Sequence, residues 1–183
     1  MAAIDLAIRA GVDVITHAPL ERSLDAATVS RILERNIVVI PTLAMMEGIA
    51  ERAGSGQDYS ASRDSVSALY KAGVPLLPGT DANATPGVPA AVRHGDSIYH
   101  ELELLVGAGL SELDVLRSAT VLTAQHFGLG DRGIVAPGYR ADLNLIDGDP
   151  LAGVTCTRRI RQIWCGGINR APAQPRRTSA PWR

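Results

Sequence analysis

The chain has 183 residues, with 18 Lys and Arg against 19 Asp and Glu for a net charge of -1, and 46% of it is apolar. That length suffices for one domain with a sizeable core, and a balanced charge without a basic stripe argues against nucleic acid as a partner. No apolar run nears the roughly 20 residues that span a bilayer and no signal-peptide pattern opens the chain, so a cytoplasmic protein without membrane contact is expected, its two cysteines, Cys156 and Cys165, free thiols.

Residues 2–9 place Ile4, Leu6, Ala7 and Ile8 in a helical pattern that Gly11 stops. Residues 12–16 read as a strand that ends on His17, followed at once by Ala18 and Pro19. The pattern repeats. Ser23 is the expected N-cap of a helix to about Arg35, and residues 37–42 form a second strand, apolar on both faces as in a parallel sheet covered by helices. A loop is expected over 51–58, a helix over 61–71, and a third strand over 74–77 that turns through Pro78, Gly79 and Thr80 onto Asp81. Three helix-then-strand units in succession point to an α/β protein with a parallel sheet or barrel.

After a loop rich in Pro, Gly and Ala, Asp96 or Ser97 is the expected cap of a helix to Val106 carrying Ile98, Leu102 and Leu105. Ser111-Glu112-Leu113-Asp114 resembles a capping box for a helix expected to break near Ala119, and a short helix then carries Val121, Leu122 and His126. From Gly128 the pattern changes to strands over 141–146 and 159–165, with an Asp147-Gly148 turn and a Gly166-Gly167 hairpin. Residues 171–183, rich in Pro and Arg, are expected to form a disordered tail.

Two motifs lose their chemical reading in context. Gly128-Leu129-Gly130-Asp131-Arg132-Gly133 matches the dinucleotide pattern, but a helix precedes it and a strand follows, the reverse of what phosphate binding needs, so it is a turn. Asp147-Gly148-Asp149 is too short for a calcium loop. His17 and Asp81 are more informative. Each alone reads as a hydrogen-bonded core histidine or a turn aspartate. Both, however, follow a predicted parallel strand, and the parallel strands of one barrel aim their C-terminal ends at one face. An imidazole and a carboxylate on one rim suit Zn²⁺ or a similar cation. His94, in the loop after Asp81, is a candidate substrate contact; His100 and His126 read as structural.

On these residues the chain resembles the amidohydrolase superfamily, in particular the branch of imidazolonepropionase and related Xaa-Pro dipeptidases. The run from Ala10 to His17 resembles the sixth barrel strand with its metal-site histidine, and Val38-Val39-Ile40-Pro41-Thr42-Leu43 the seventh. Pro78-Gly79-Thr80-Asp81 resembles the eighth strand with its aspartate, and the run from Gly133 to Leu143 the return from barrel to β-sandwich. The resemblance implies the C-terminal part of a TIM (β/α)₈ barrel, about three units over 1–127, with a small β-sandwich segment over 128–170. It also implies a metal-dependent hydrolase of C–N bonds in an amide, cyclic amide or dipeptide, with one or two divalent ions, zinc foremost. His17 and Asp81 would be metal ligands, and Asp81 the proton shuttle. The family's H-x-H pair, its fourth-strand lysine or acid and its fifth-strand histidine have no counterpart here. A full barrel takes about 250 residues and eight strands. The chain is therefore expected to be the C-terminal half of a longer enzyme, a fragment incompetent alone, or to complete its barrel by self-association or with a partner chain, or to have lost catalysis and serve as a non-catalytic half-barrel for assembly or ligand binding.

Overall fold

Alternation of helices with short apolar strands organises the first part of the chain. The computed structural model describes residues 2–53, 58–83 and 85–170. Its regular elements begin with α1 (Ala2–Ala10), β1 (Val14–Thr16), α2 (Ala26–Glu34), β2 (Val38–Ile40), α3 (Leu43–Ala53) and α4 (Tyr59–Ala72). They continue with α5 (Ser97–Gly107), α6 (Glu112–Arg117), α7 (Thr123–His126), β3 (Leu143–Ile146), β4 (Ile160–Cys165) and β5 (Ile168–Arg170).

β1 and β2 pair in parallel, with Val14 opposite Val38 and Thr16 opposite Ile40. Residues 74–77 join the other edge of β2: the Val39 amide donates to the Pro75 carbonyl at 2.9 Å and the Leu77 amide donates to the Val39 carbonyl at 3.0 Å. The expected third strand thus reduces to a single parallel bridge, Val39 to Leu76. Pro75 has no amide to give and Pro78 follows, so the ladder cannot lengthen. Helices bury the sheet: Ile8 of α1, Ile15, Ile32 of α2, Val39, Val66 and Leu69 of α4, Leu76, Leu105 of α5 and Val115 of α6 belong to one core cluster.

Several expectations are corrected. Asp25, not Ser23, caps α2, accepting the Thr28 amide at 2.8 Å; that bond lowers the Asp25 pKa. The expected loop from residue 51 begins later, because α3 runs on to Ala53, and residues 54–57 lie outside the described residues. Neither Asp96 nor Ser97 supplies a side-chain cap to α5; Asp96 occupies the N-cap position without that hydrogen bond. The expected break near Ala119 is instead a π-helical turn, Ser118–Leu122, that carries α6 into α7. Ser111 caps α6, its Oγ accepting the Asp114 amide at 3.1 Å and donating to Asp114 Oδ2 at 2.6 Å, which is the first half of the expected capping box.

The last part is one antiparallel sheet in the order β3-β4-β5. A sandwich needs a second facing sheet, and the described residues contain none there. A 3₁₀ turn, Val154–Arg158, precedes β4 and lodges Val154 in the main core. Cys156 is buried, Cys165 is exposed, and both are free. No described helix is long and apolar enough to cross a membrane. The expected tail, 171–183, lies outside the described residues.

Candidate functional site at the strand ends

Three non-glycine residues beyond β1, β2 and the bridged segment 74–77 have left-handed backbones: His17 at φ 69, Thr42 at φ 50 and Asp81 at φ 46. Such a conformation costs a non-glycine residue on the order of 1–3 kcal/mol and gathers at functional sites; for a β-branched threonine it is a true outlier. Among the described residues only Asn36 shares it, and asparagine beyond a helix end tolerates it well.

His17 and Thr42 meet at the end of β2, and Asp81 lies two residues beyond Gly79, which packs there. The His17 amide donates to the Ile40 carbonyl at 3.0 Å and the Ala18 amide donates to the Pro41 carbonyl at 2.9 Å, so pairing with β2 continues through His17. His17 Nδ1 and Thr42 Oγ1 are 2.8 Å apart. On the other side, Gly79 lies so close to Ile40 that a methyl group on it would overlap Ile40 Cγ2. Asp81 follows two residues on. The loop after β1 is tied down by Ser62, which donates to the Pro19 carbonyl at 2.9 Å, and by Ser65, which accepts the Leu24 amide at 2.9 Å. His17 and Asp81 are exposed while Thr42 is 3% exposed.

Gly79→Ala tests the tight side of this site. Overpacking against Ile40 is expected to cost about 1–3 kcal/mol, and Ile40→Ala in the same chain is expected to recover part of it. Chemical denaturation of the four chains in the cycle measures the coupling; additive losses would show that Gly79 and Ile40 do not meet.

Glu101 is a functional candidate that the sequence reading did not single out. Its side chain is fully buried, and its two carboxylate oxygens accept the Leu43 amide at 3.0 Å and the Ala44 amide at 2.7 Å. Burial pushes its pKa up to about 7, against the lowering effect of those two amides. A signal for it existed: Glu101 falls on the helical face of Ile98, Leu102 and Leu105, where an unpaired charge is out of place.

His94 is exposed. It follows a loop closed by the Asn83 to Val92 bridge, whose Ala90 and Val92 pack with Leu20, Ala44, Met45 and Met46 in a second small core. No hydrogen bond or ion pair joins His94 to His17 or Asp81. A cavity of about 510 Å³ is lined by α3, residues 90–93 and α5, and takes in none of the three expected site residues. His100 lines it and pairs with Glu47 and, at 3.6 Å, Glu103; burial pulls the His100 pKa down, but these two carboxylates outweigh it and raise it. Arg158 in turn holds Glu103 below the usual carboxylate range. His100 is thus held by two carboxylates at the wall of this cavity.

A divalent metal ion suits His17 and Asp81 chemically. With Nδ1 turned to Thr42, the imidazole can offer Nε2, and the Asp81 carboxylate is open to solvent. Among the described residues no three His, Cys, Asp or Glu side chains gather as a metal group.

Comparison with known proteins agrees with this geometry. Residues 2–169 match the model of the amidohydrolase family. An adenine deaminase of Methylobacterium sp. (strain 4-46) is 32% identical over 191 aligned residues, which cover 97% of this chain and 31% of that protein. An adenine deaminase of Brucella anthropi is 29% identical over 72% of this chain and 24% of its own length. A solved Xaa-Pro dipeptidase with methionine in its active site superposes with a TM-score of 0.78 at 22% identity, over 93% of this chain and 43% of that one. The chain therefore spans about a third or less of these curated relatives and under half of that fold. With strand-end residues and a family match over nearly its whole described length, this chain belongs to the amidohydrolase family.

Proposed function

We propose that this chain carries the His17 and Asp81 part of a metal-dependent hydrolase that cleaves C–N bonds in an amide, cyclic amide or dipeptide. The observation that carries the reading is the set of strained, left-handed residues, His17, Thr42 and Asp81, around the end of β2. The β-branched Thr42 at the end of β2 is the outlier that turn geometry does not require, while histidine and aspartate enter this conformation more readily. His17 and Asp81 would hold the ion; zinc is the first candidate for an imidazole and carboxylate set. Such an ion lowers the pKa of bound water and polarises a carbonyl or related carbon.

Asp81 accepts the proton of the attacking water on its carboxylate and delivers it to the leaving nitrogen. The role of His17 follows from its tautomer. If Nδ1–H donates to Thr42, Nε2 presents a lone pair to a metal; if Nδ1 accepts from Thr42, Nε2–H donates to the substrate carbonyl. The first suits a two-metal site and the second a one-metal site. His94 is the proposed substrate contact, since its exposed imidazole stands beyond the loop that Asp81 opens.

The test is metal analysis of the intact protein, with release of ammonia from adenine and of amine from N-acyl amino acids and Xaa-Pro dipeptides. Turnover that falls with chelation and returns with Zn²⁺ is expected, and His17→Ala should weaken metal retention. The specific observation behind a second reading is that no third ligand joins the pair among the described residues. Intact protein that holds no transition metal and is inert toward all three substrate classes would support a non-catalytic half-barrel acting as an assembly or ligand-binding module.

A further inference from the structure

The residue before a helix normally caps it with its own side chain, and a threonine there bonds the amide two or three positions on. Thr42 is the residue before α3, and its carbonyl accepts the Met45 and Met46 amides at 3.0 Å. Its hydroxyl does not cap the helix. It faces His17 Nδ1 at 2.8 Å. The free amides at the start of α3, those of Leu43 and Ala44, are taken instead by Glu101 from α5. We propose that Glu101 is a surrogate N-cap for α3 which releases the Thr42 hydroxyl to hold the His17 imidazole, so that Glu101 and Thr42 are positioning residues for the strand-end site.

The physical logic is competition for one hydroxyl. The helix start has unsatisfied donors that must be met when buried, and Thr42 is 3% exposed, so water is not at hand to share the task. A carboxylate with two acceptor oxygens meets two amides at once. Asking Thr42 to cap α3 would turn its hydroxyl away from His17.

The claim that this positioning serves a metal or substrate rests on the proposed function; the coupling of Glu101 to His17 does not. The experiment is long-range ¹H–¹⁵N NMR of the imidazoles of the folded chain, with amide exchange of the first turn of α3. In the wild-type chain His17 is expected in one tautomer. Thr42→Val should mix its tautomers while Leu43 and Ala44 stay protected, and Thr42→Ser should restore the single form. Glu101→Gln should mix them too, and speed exchange at Leu43 and Ala44 at least about tenfold, with His94 unchanged in every chain. In the double variant the His17 signal should match that of Thr42→Val alone.

The proposal is overturned if Glu101→Gln leaves His17 as in wild type, if the two changes act additively on it, or if Thr42→Val itself speeds exchange at Leu43 and Ala44. Should Glu101→Gln not fold, Glu101→Asp, whose shorter side chain cannot meet both amides as Glu101 does, takes its place with the same expected and overturning results. Titration with Zn²⁺ separates the two levels. Loss of about 10–100-fold in affinity in both variants is expected for partners of a ligand histidine. If Zn²⁺ leaves His17 unmoved in the wild-type chain while the tautomer coupling holds, the metal assignment fails and the positioning stands.

Discussion

Asp81→Asn is expected to lower C–N bond hydrolysis by the intact enzyme about 10²–10⁴-fold, the contribution of a well-placed general acid and base, while leaving the fold unchanged. Asparagine has the same shape as aspartate and is among the side chains that best tolerate a left-handed backbone, so the strain at φ 46 is undisturbed. Asp81 is exposed, and a surface change of this kind moves stability by no more than about 0.5 kcal/mol. What is lost is the negative charge and the capacity to take a proton. Asp81→Ala removes the same chemistry but adds backbone strain, so equal thermal stability in wild type and Asp81→Asn beside a lower value in Asp81→Ala would separate the two effects. Turnover by Asp81→Asn within tenfold of wild type would remove Asp81 from the reaction.

The second large effect is on stability. Glu101 is fully buried, and its pKa rises from 4.5 to about 7 on folding. A carboxyl group with a raised folded pKa favours the native state below its unfolded pKa and loses that contribution as pH climbs through the folded value. The chain is therefore expected to lose on the order of 3 kcal/mol between about pH 4.5 and pH 7 through this one group, at 1.36 kcal/mol per pKa unit. His100 acts in the same direction above its unfolded pKa of about 6.5, since Glu47 and Glu103, the carboxylates that face it, raise its pKa. Below pH 4 the sign reverses, because Asp25, Asp58 and Asp114 have lowered pKa values through bonds to Thr28, Ser60, Ser111 and Tyr70. Denaturant unfolding across pH should thus show a maximum near pH 4 to 5, and Glu101→Gln should flatten the arm above it. An arm of unchanged slope in Glu101→Gln would show that another group causes it.

Local signals carried the reading of the chain as far as they could. The strands at 14–16 and 38–40 stood out because β-branched runs between glycine, asparagine and proline are legible within a few residues. The break expected near Ala119 failed because polar residues there, Ser118 and Thr120, bond back to the Val115 and Leu116 carbonyls and let the helix swell into a π turn. α3 escaped notice because its start has no local cap: the group that caps it lies 57 and 58 residues away in the chain.

The sequence by itself determined that helices and short apolar strands alternate here, that His17 stands just past a strand, and that the residues from Gly133 to Leu143 lead into a β segment, since all of these are written in neighbouring residues. Only the tertiary structure decided that those strand ends meet around Ile40, that Thr42 turns its hydroxyl to His17, and that Glu101 takes over the start of α3. The reason is physical. Periodicity and turn chemistry report what a segment does with its own backbone, whereas the pairing of a buried carboxylate with distant amides is settled by which groups the packed core leaves without water.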